Sequence, residues 1–508
     1  MTRSDSASDG RWNRRRILET SDSRQLPHID PVRYAVCIRR KPMRTRIALL
    51  LAVLVHAHAH AQPPVDNSTV SDTLLDRYTA RRDAHFAWTL EKTWTDPPDL
   101  VGYALNLTSQ AWRDEPDVDH PIWTHMVQIA RPENVTRDTA LLIIAGGTRT
   151  QNVPDHLDAQ LAMMARLTGS AVVLLPDVPN QPMVLNGDGV PRYEDDLLAE
   201  SWVAASKTRD PGWIIHLAMV ESAVAAMDAA QQFLASDAGG GVSIKHFVVS
   251  GASKRGWTTW LTAAVDDRVS GIVPFVIDTL NLPATMKHHW GAYGFWAPAI
   301  GDYSGRHLFR WLNSPDSRSL RSIVDPYLYR DRLDMPKFLI NSAGDQYFLP
   351  DTTRYYLDDL PGITRLRIVP NTNHSLGRNL DAVQSALAFY TALLDNRPIP
   401  ALSWRSDTPG VLRVTADTDP IEVTLWQAHN PGARDFRQEE IGNTWRPTPL
   451  EPDDDGAYTA RVEPPETGYT AFFVEARFRP DGLPLPMTFT TEVQVIPDIL
   501  PFKDKPME

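Results

Sequence analysis

His246-Phe-Val-Val-Ser-Gly-Ala-Ser-Lys-Arg-Gly256 is an apolar run that ends in Gly251-Ala-Ser253-Lys-Arg-Gly256, and a helical stretch follows from Trp257. A serine at a tight strand-to-helix turn needs small neighbours, because the strained backbone brings flanking side chains against strand and helix. Gly251 supplies one of them. Arg255 occupies the usual second glycine position, so the pattern is G-x-S-x-x-G rather than G-x-S-x-G. A nucleophilic serine requires a histidine base, and the base requires an acid that orients it and stabilises its cation. Phe338-Leu-Ile-Asn-Ser-Ala-Gly-Asp345 reads as a strand whose following loop presents Asp345, and Leu366-Arg-Ile-Val-Pro-Asn-Thr-Asn-His374 presents His374 in the same way. The order Ser, Asp, His is that of α/β-hydrolases. The gaps of 92 and 29 residues leave room for a cap insertion and then one βα unit. Asp278, closing the strand Gly271–Ile277, is the alternative acid, and Asp351 is a weaker third; Gly344-Asp345 with Pro350 nearby makes the more usual acid loop.

Acyl transfer also needs donors for the developing oxyanion, each worth roughly 3–4 kcal/mol. Backbone amides supply them, one from the residue after the nucleophile and one from the loop after an earlier strand. Here these are Lys254 and, in Ala145-Gly146-Gly147-Thr148-Arg149, Gly147.

Parallel strands must hold these residues. From about residue 100 to 395, short β-rich runs alternate with helical stretches, the pattern of a parallel sheet covered by helices on both faces. The expected strands are Tyr103–Gln110, Trp123–Ala130, Ala140–Ala145, Ala171–Leu175, His246–Ser250, Gly271–Ile277, Lys337–Asn341 and Arg365–Val369. The later runs are continuously apolar, as strands buried on both faces are; the first two alternate, fitting an antiparallel edge. Leu157–Leu167 and Ile215–Leu234 have helical periodicity. The fold expected is thus an α/β-hydrolase, a mostly parallel eight-stranded sheet spanning 62–398, with a cap insertion at about 279–336. Near Pro398–Pro400 the pattern changes to short alternating strands, and residues 399–508 read as a small β-sandwich. The acidic run Glu451–Asp455 lacks EF-hand ligand spacing and reads as a solvated turn.

The expected cap contains Lys287-His-His-Trp-Gly-Ala-Tyr-Gly-Phe-Trp296. Lys287, His288 and Trp290, with Trp202, are candidate substrate contacts, although such aromatics more often pack a cap onto its sheet. Lys254, Arg255 and Lys287 would favour an anionic substrate if they were free of partners. Adjacent His288-His289 has no HExxH context, so no metal site is expected there.

Composition narrows the class. The 51 basic and 63 acidic residues give a net charge of −12, which argues against a nucleic-acid partner or a polybasic membrane-surface protein. A single cysteine, Cys37, excludes an internal disulfide framework and a cysteine-ligated metal site. Ile47–Val55 is a nine-residue apolar run, too short to span a bilayer that needs about 20. Basic residues precede it and Ala59-His60-Ala61 follows, the layout of a secretory signal peptide cleaved before Gln62. Residues 1–61 are therefore expected to be removed, as an N-terminal extension and signal peptide. That leaves 39 basic against 58 acidic residues, a net −19, and no cysteine. The expected location is periplasmic or extracellular, with no membrane span.

Leu141 to His374 resembles the PhoPQ-activated pathogenicity-related protein family, bacterial exported proteins with an α/β-hydrolase domain. Asp195–Trp202, Glu221–Asp228, Phe247–Trp257, Val276–Asn281, Asn341–Phe348 and Pro370–His374 carry the resemblance, most specifically Ser253-Lys-Arg-Gly-Trp257. It implies a serine-hydrolase-like fold and brings no settled substrate. A looser likeness is to glucuronoyl esterases, which follow G-x-S with a basic residue near the oxyanion; Lys254 matches that residue in charge only. The residues together predict an exported serine hydrolase without a cofactor, acting on a small-molecule or peptide substrate, carboxylic esters first and peptides second. The competing expectation is a catalytically silent binding or signalling protein on the same scaffold, motivated by Arg255 and the aromatic cap.

Overall fold

The computed structural model describes residues 65–507, apart from 97–98, 313, 315–316 and 378. The signal peptide expected within 1–61 lies outside the described residues. A short helix, α1 (Leu74–Ala80), opens the described chain behind a Thr73–Asp76 capping box. Among the described residues, nine strands form the large sheet: β1 (Ala87–Asp96), β2 (Leu100–Ala111), β3 (Ile122–Pro132), β4 (Thr139–Ile144), β5 (Val172–Leu175), β6 (His246–Ala252), β7 (Val269–Phe275), β8 (Lys337–Ser342) and β9 (Thr364–Val369). Their order is β1-β2-β3-β5-β4-β6-β7-β8-β9. The first three pair antiparallel, β5 joins β3 antiparallel, and β5-β4-β6-β7-β8-β9 run parallel. This is an α/β-hydrolase sheet.

The apolar parallel runs sit where both faces are covered, and in β8 all of the side chains are buried. β1 is the strand beyond the eight expected. Its sequence AWTLEKTWTD is polar on the outward side and carries a bulge between Leu90 and Lys92, both devices that protect an exposed sheet edge. That polarity is also why it does not read as a strand in an apolar-run search.

Helices α2 (Ala159–Thr168), α3 (Glu194–Thr208), α4 (His216–Ala235) and α5 (Lys254–Val265) follow their strands. Between β7 and β8 the chain forms α6 (Leu282–Tyr293), α7 (Gly301–Ser304), α8 (Leu308–Leu312) and α9 (Arg318–Val324), and α10 (Leu380–Leu394) follows β9. The C-terminal residues make two antiparallel sheets, one of Leu402–Thr408, Val411–Ala416 and Tyr458–Arg461, the other centred on Tyr469–Phe478. Leu412, Val414, Phe472 and Val474 from these sheets share one apolar cluster with Phe338, Val369 and Phe389 of the hydrolase sheet and α10. Phe489 meets Phe338 edge-on at 5.1 Å. The acidic run at 451–455 is a turn in which Asp453 and Asp455 pair with Arg413.

Candidate active site

Ser253 caps α5 at the end of β6 with φ +57° and ψ −128°, a backbone conformation that costs energy for a residue with a Cβ. The turn is this tight because Gly251 and Gly256 admit it. A Cβ on Gly251 would lie 2.6 Å from the Arg255 carbonyl oxygen, and one on Gly256 2.7 Å from an Ile277 methyl. Gly256 thus does the packing that the glycine two residues after the nucleophile does in G-x-S-x-G.

His374, in the loop after β9, places Nε2 2.8 Å from Ser253 Oγ and Nδ1 2.8 Å from Asp345 Oδ2. Asp345, 3 % exposed, is fixed in turn by the amides of Tyr347 at 2.7 Å and Phe348 at 3.4 Å, which donate to its Oδ1. The Tyr347 ring packs on His374 with centroids 4.3 Å apart, and Gln346 Oε1 accepts from the His374 amide at 3.1 Å. Serine, histidine and aspartate come from the ends of three strands, the end at which open α/β sheets hold their sites.

Asp278 is buried away from this chain of hydrogen bonds. It accepts from the Tyr356 hydroxyl, and burial pushes its carboxyl up to about 7, with Asp345 and Asp351 adding to the rise. Asp351 is held between His288 Nε2 at 2.8 Å and Arg434 at 2.6 Å. The acid paired with His374 is Asp345.

Arg255 explains its own place in the motif. Its guanidinium donates to both carboxylate oxygens of Glu194 at 2.7 Å and to the Val178 carbonyl. It passes so close to Gly146 that a Cβ there would lie 2.5 Å from its Nη2. Glu194 also accepts from Gln181 Nε2 at 2.6 Å, and that same nitrogen donates to the Gly147 carbonyl at 2.8 Å. Arg255, Glu194 and Gln181 therefore brace the loop that carries the Gly147 amide. The Lys254 amide is in the first turn of α5, where N–H groups lack intrahelical partners and the helix dipole favours negative charge. Burial alone would raise the Glu194 carboxyl; the hydrogen bonds and charges of Arg255 and Lys254 outweigh it and hold the group down at about 2.

Lys254 Nζ pairs with Glu194 at 2.9 Å and Asp195 at 3.1 Å, and Tyr303 donates to Asp195 at 3.0 Å. Neither Lys254 nor Arg255 is free to receive an anionic substrate. Lys287 is exposed. His288 is buried between Asp351 and the Tyr355 hydroxyl, and Trp290 donates to the Lys505 carbonyl. None of these three α6 residues lines either cavity at the serine. Trp202 does line one, a space of about 50 Å³ shared with Lys254, Thr279 and Tyr347. A second, of about 620 Å³, is lined by Ser253, His374 and Gly146. No group of three or more His, Cys, Asp or Glu among the described residues is placed to hold a metal, and no described helix is long and apolar enough to cross a membrane.

Glu194 and Gln181 lie outside every motif, and Tyr347 and Phe348 fall within Asn341–Phe348 with no role of their own read there. The signal for Glu194 is indirect: two consecutive cations beside Ser253 need a carboxylate partner, and only the fold shows which one.

The sequence profile of the PhoPQ-activated pathogenicity-related protein family matches residues 75–437. Autocrine proliferation repressor protein A of Dictyostelium discoideum is 36% identical over 462 residues, covering 86% of this chain and 92% of that protein. Acetyl xylan esterase 1 from Thermoanaerobacterium sp. JW/SL YS485 is similar in structure, with a TM-score of 0.43 and 15% identity, over 65% of this chain and 96% of the esterase. A glucuronoyl esterase from Solibacter usitatus gives a TM-score of 0.39 at 12% identity, over 61% and 87% of the two chains.

Proposed function

This chain belongs to the PhoPQ-activated pathogenicity-related protein family, and we propose that it is an exported serine hydrolase that cleaves carboxylic esters. The observation that carries the reading is the continuous hydrogen-bond chain Ser253 Oγ, His374 Nε2, His374 Nδ1, Asp345, with both links at 2.8 Å. Ser253 Oγ attacks the acyl carbon as His374 Nε2 takes its proton, and Asp345 holds the imidazole tautomer and stabilises the cation. The carbonyl oxygen becomes an oxyanion beside the Lys254 and Gly147 amides. Collapse breaks the ester C–O bond, and His374 returns the proton to the departing alcohol. Water, deprotonated by His374, then releases the acid and restores Ser253. This chemistry requires no cofactor. The leader ending at Ala61 supports export.

The test is steady-state hydrolysis of p-nitrophenyl acetate by the protein starting at Gln62, with Asp345→Asn beside it. Loss of about 10³–10⁴ in kcat is expected for Asp345→Asn, because the wrong histidine tautomer faces the serine. A fall of less than tenfold would remove Asp345 from the mechanism. The similarity to a protein named as an autocrine proliferation repressor favours a second reading, a secreted signal on a hydrolase scaffold. Under that reading Ser253→Ala keeps the biological effect; under the first it abolishes it.

A further inference from the structure

We infer that the 620 Å³ cavity beside Ser253 and His374 is a chain-binding slot, and that the preferred substrates are esters carrying an unbranched apolar chain. This rests on the esterase reading above and names its substrate class.

The slot lies on one face of the sheet. Ile143, Ser250 and Val273 are register partners on β4, β6 and β7, so their side chains form one row across that face. All three line the cavity. Its opposite wall is made by α2 and α10. Ala382, Ala386 and Tyr390 lie four residues apart on α10, one above another on a single helix face. The two alanines leave the gap and Tyr390 ends it. Met164 of α2 completes the wall. From Ile144 back to Leu141 the cavity follows β4 for about 10 Å, at roughly 3.3 Å per residue.

On the sheet side and at the Tyr390 end the polar side chains are already satisfied, while Gln160 and Asn379 also line the cavity. Ser250 Oγ donates to the Val273 carbonyl at 2.7 Å, and the Tyr390 hydroxyl bonds to Ser170 at 2.8 Å, leaving the ring towards the cavity. A polar or charged group placed against the Ile143, Ser250 and Val273 row would surrender its water without a partner, whereas an alkyl chain gains by burial. The smaller cavity is also largely apolar but holds two unpartnered polar atoms. Trp202 Nε1 and Thr279 Oγ1 line it buried and without hydrogen-bond partners. The occupant of the large slot is tied to the reaction because Ser253 and His374 are among its lining residues.

The experiment compares kcat/KM for p-nitrophenyl acetate with that for p-nitrophenyl octanoate, and separately for ethyl acetate with that for octyl acetate. Full burial is worth about fourfold per methylene, so partial burial gives an expected preference of about a hundredfold for one long-chain ester. A preference confined to octanoate places the chain on the acyl side, and one confined to octyl acetate on the alcohol side; either supports the slot. Ala386→Phe, which fills it, is expected to lower the long-to-short ratio at least tenfold. The ratio is internal to each protein and does not depend on the fraction folded. Hydrolysis of the short esters with flat or falling ratios in both series would overturn the slot and leave the esterase reading standing. Failure of all four esters together with no fluorophosphonate labelling of Ser253 would overturn the esterase reading and the slot with it.

Discussion

At the residue scale, Ser253, Asp345 and His374 were legible in the chain because each sits just past its own apolar run, in hydrolase order. The choice of Asp345 over Asp278 rests on loop chemistry; in the structure His374 Nδ1 lies 2.8 Å from Asp345 Oδ2. Arg255 was not legible. Its partner Glu194 is 61 residues away, and no local rule predicts that an arginine side chain would leave the turn to brace the loop at Gly146 and Gly147. Arg255→Lys keeps the charge but loses the forked contact to Glu194 and Val178. It is expected to lower kcat by about 10–100-fold, with KM moving less, because the oxyanion donors are displaced rather than removed. An unchanged kcat would show that the loop holds itself. Asp278 gives a pH prediction. Burial raises its carboxyl from the ordinary value of 3.8 to about 7, so between those values the unfolded chain ionises there while the folded one stays neutral. Stability from this group is complete below 3.8 and is lost as pH rises through 7. Asp278→Asn removes that loss, and its stability relative to the parent, measured by urea unfolding, should rise from pH 4 to pH 7 and then level off.

At the element scale, parallel strands are easy to find because burial on both faces makes them apolar throughout. The edge strand β1 is not, since its outward side is polar by necessity. The aromatic run of α6 offers candidate substrate contacts or cap packing, and in the structure the helix is two-sided. Thr285, Met286 and His289 are buried with the rest of the helix, but His288 and Trp290 meet Asp351 and the C-terminal tail. Helical periodicity shows that a face is apolar; it does not show which neighbour the face meets. Asp351 ties that helix to Arg434, with both side chains 1 % exposed. Asp351→Leu strands a buried guanidinium and should cost about 3–5 kcal/mol in thermal or urea unfolding. Adding Arg434→Met should recover most of it, since a well-packed apolar pair often replaces a buried ion pair at little cost. Equal instability of the single and double variants would contradict the account.

At the scale of the whole molecule, the C-terminal sheets are continuous with the hydrolase core through Phe489, Phe338 and Phe389. The Ile368 amide donates to Thr490 Oγ1 at 3.0 Å across the same seam. The alternation of residues 401–508 announced strands, while their docking depends on contacts far apart in sequence and was not legible. That packing lies behind β8 and β9, the strands whose ends carry Asp345 and His374, so the proposed activation of Ser253 is expected to require the intact chain. The most direct test is labelling of the protein from Gln62 with a fluorophosphonate probe, beside Ser253→Ala and His374→Ala. The account predicts one equivalent of label on Ser253, none in Ser253→Ala and at least a hundredfold slower reaction in His374→Ala. Folded protein that takes no label, or label that persists in Ser253→Ala, would contradict it.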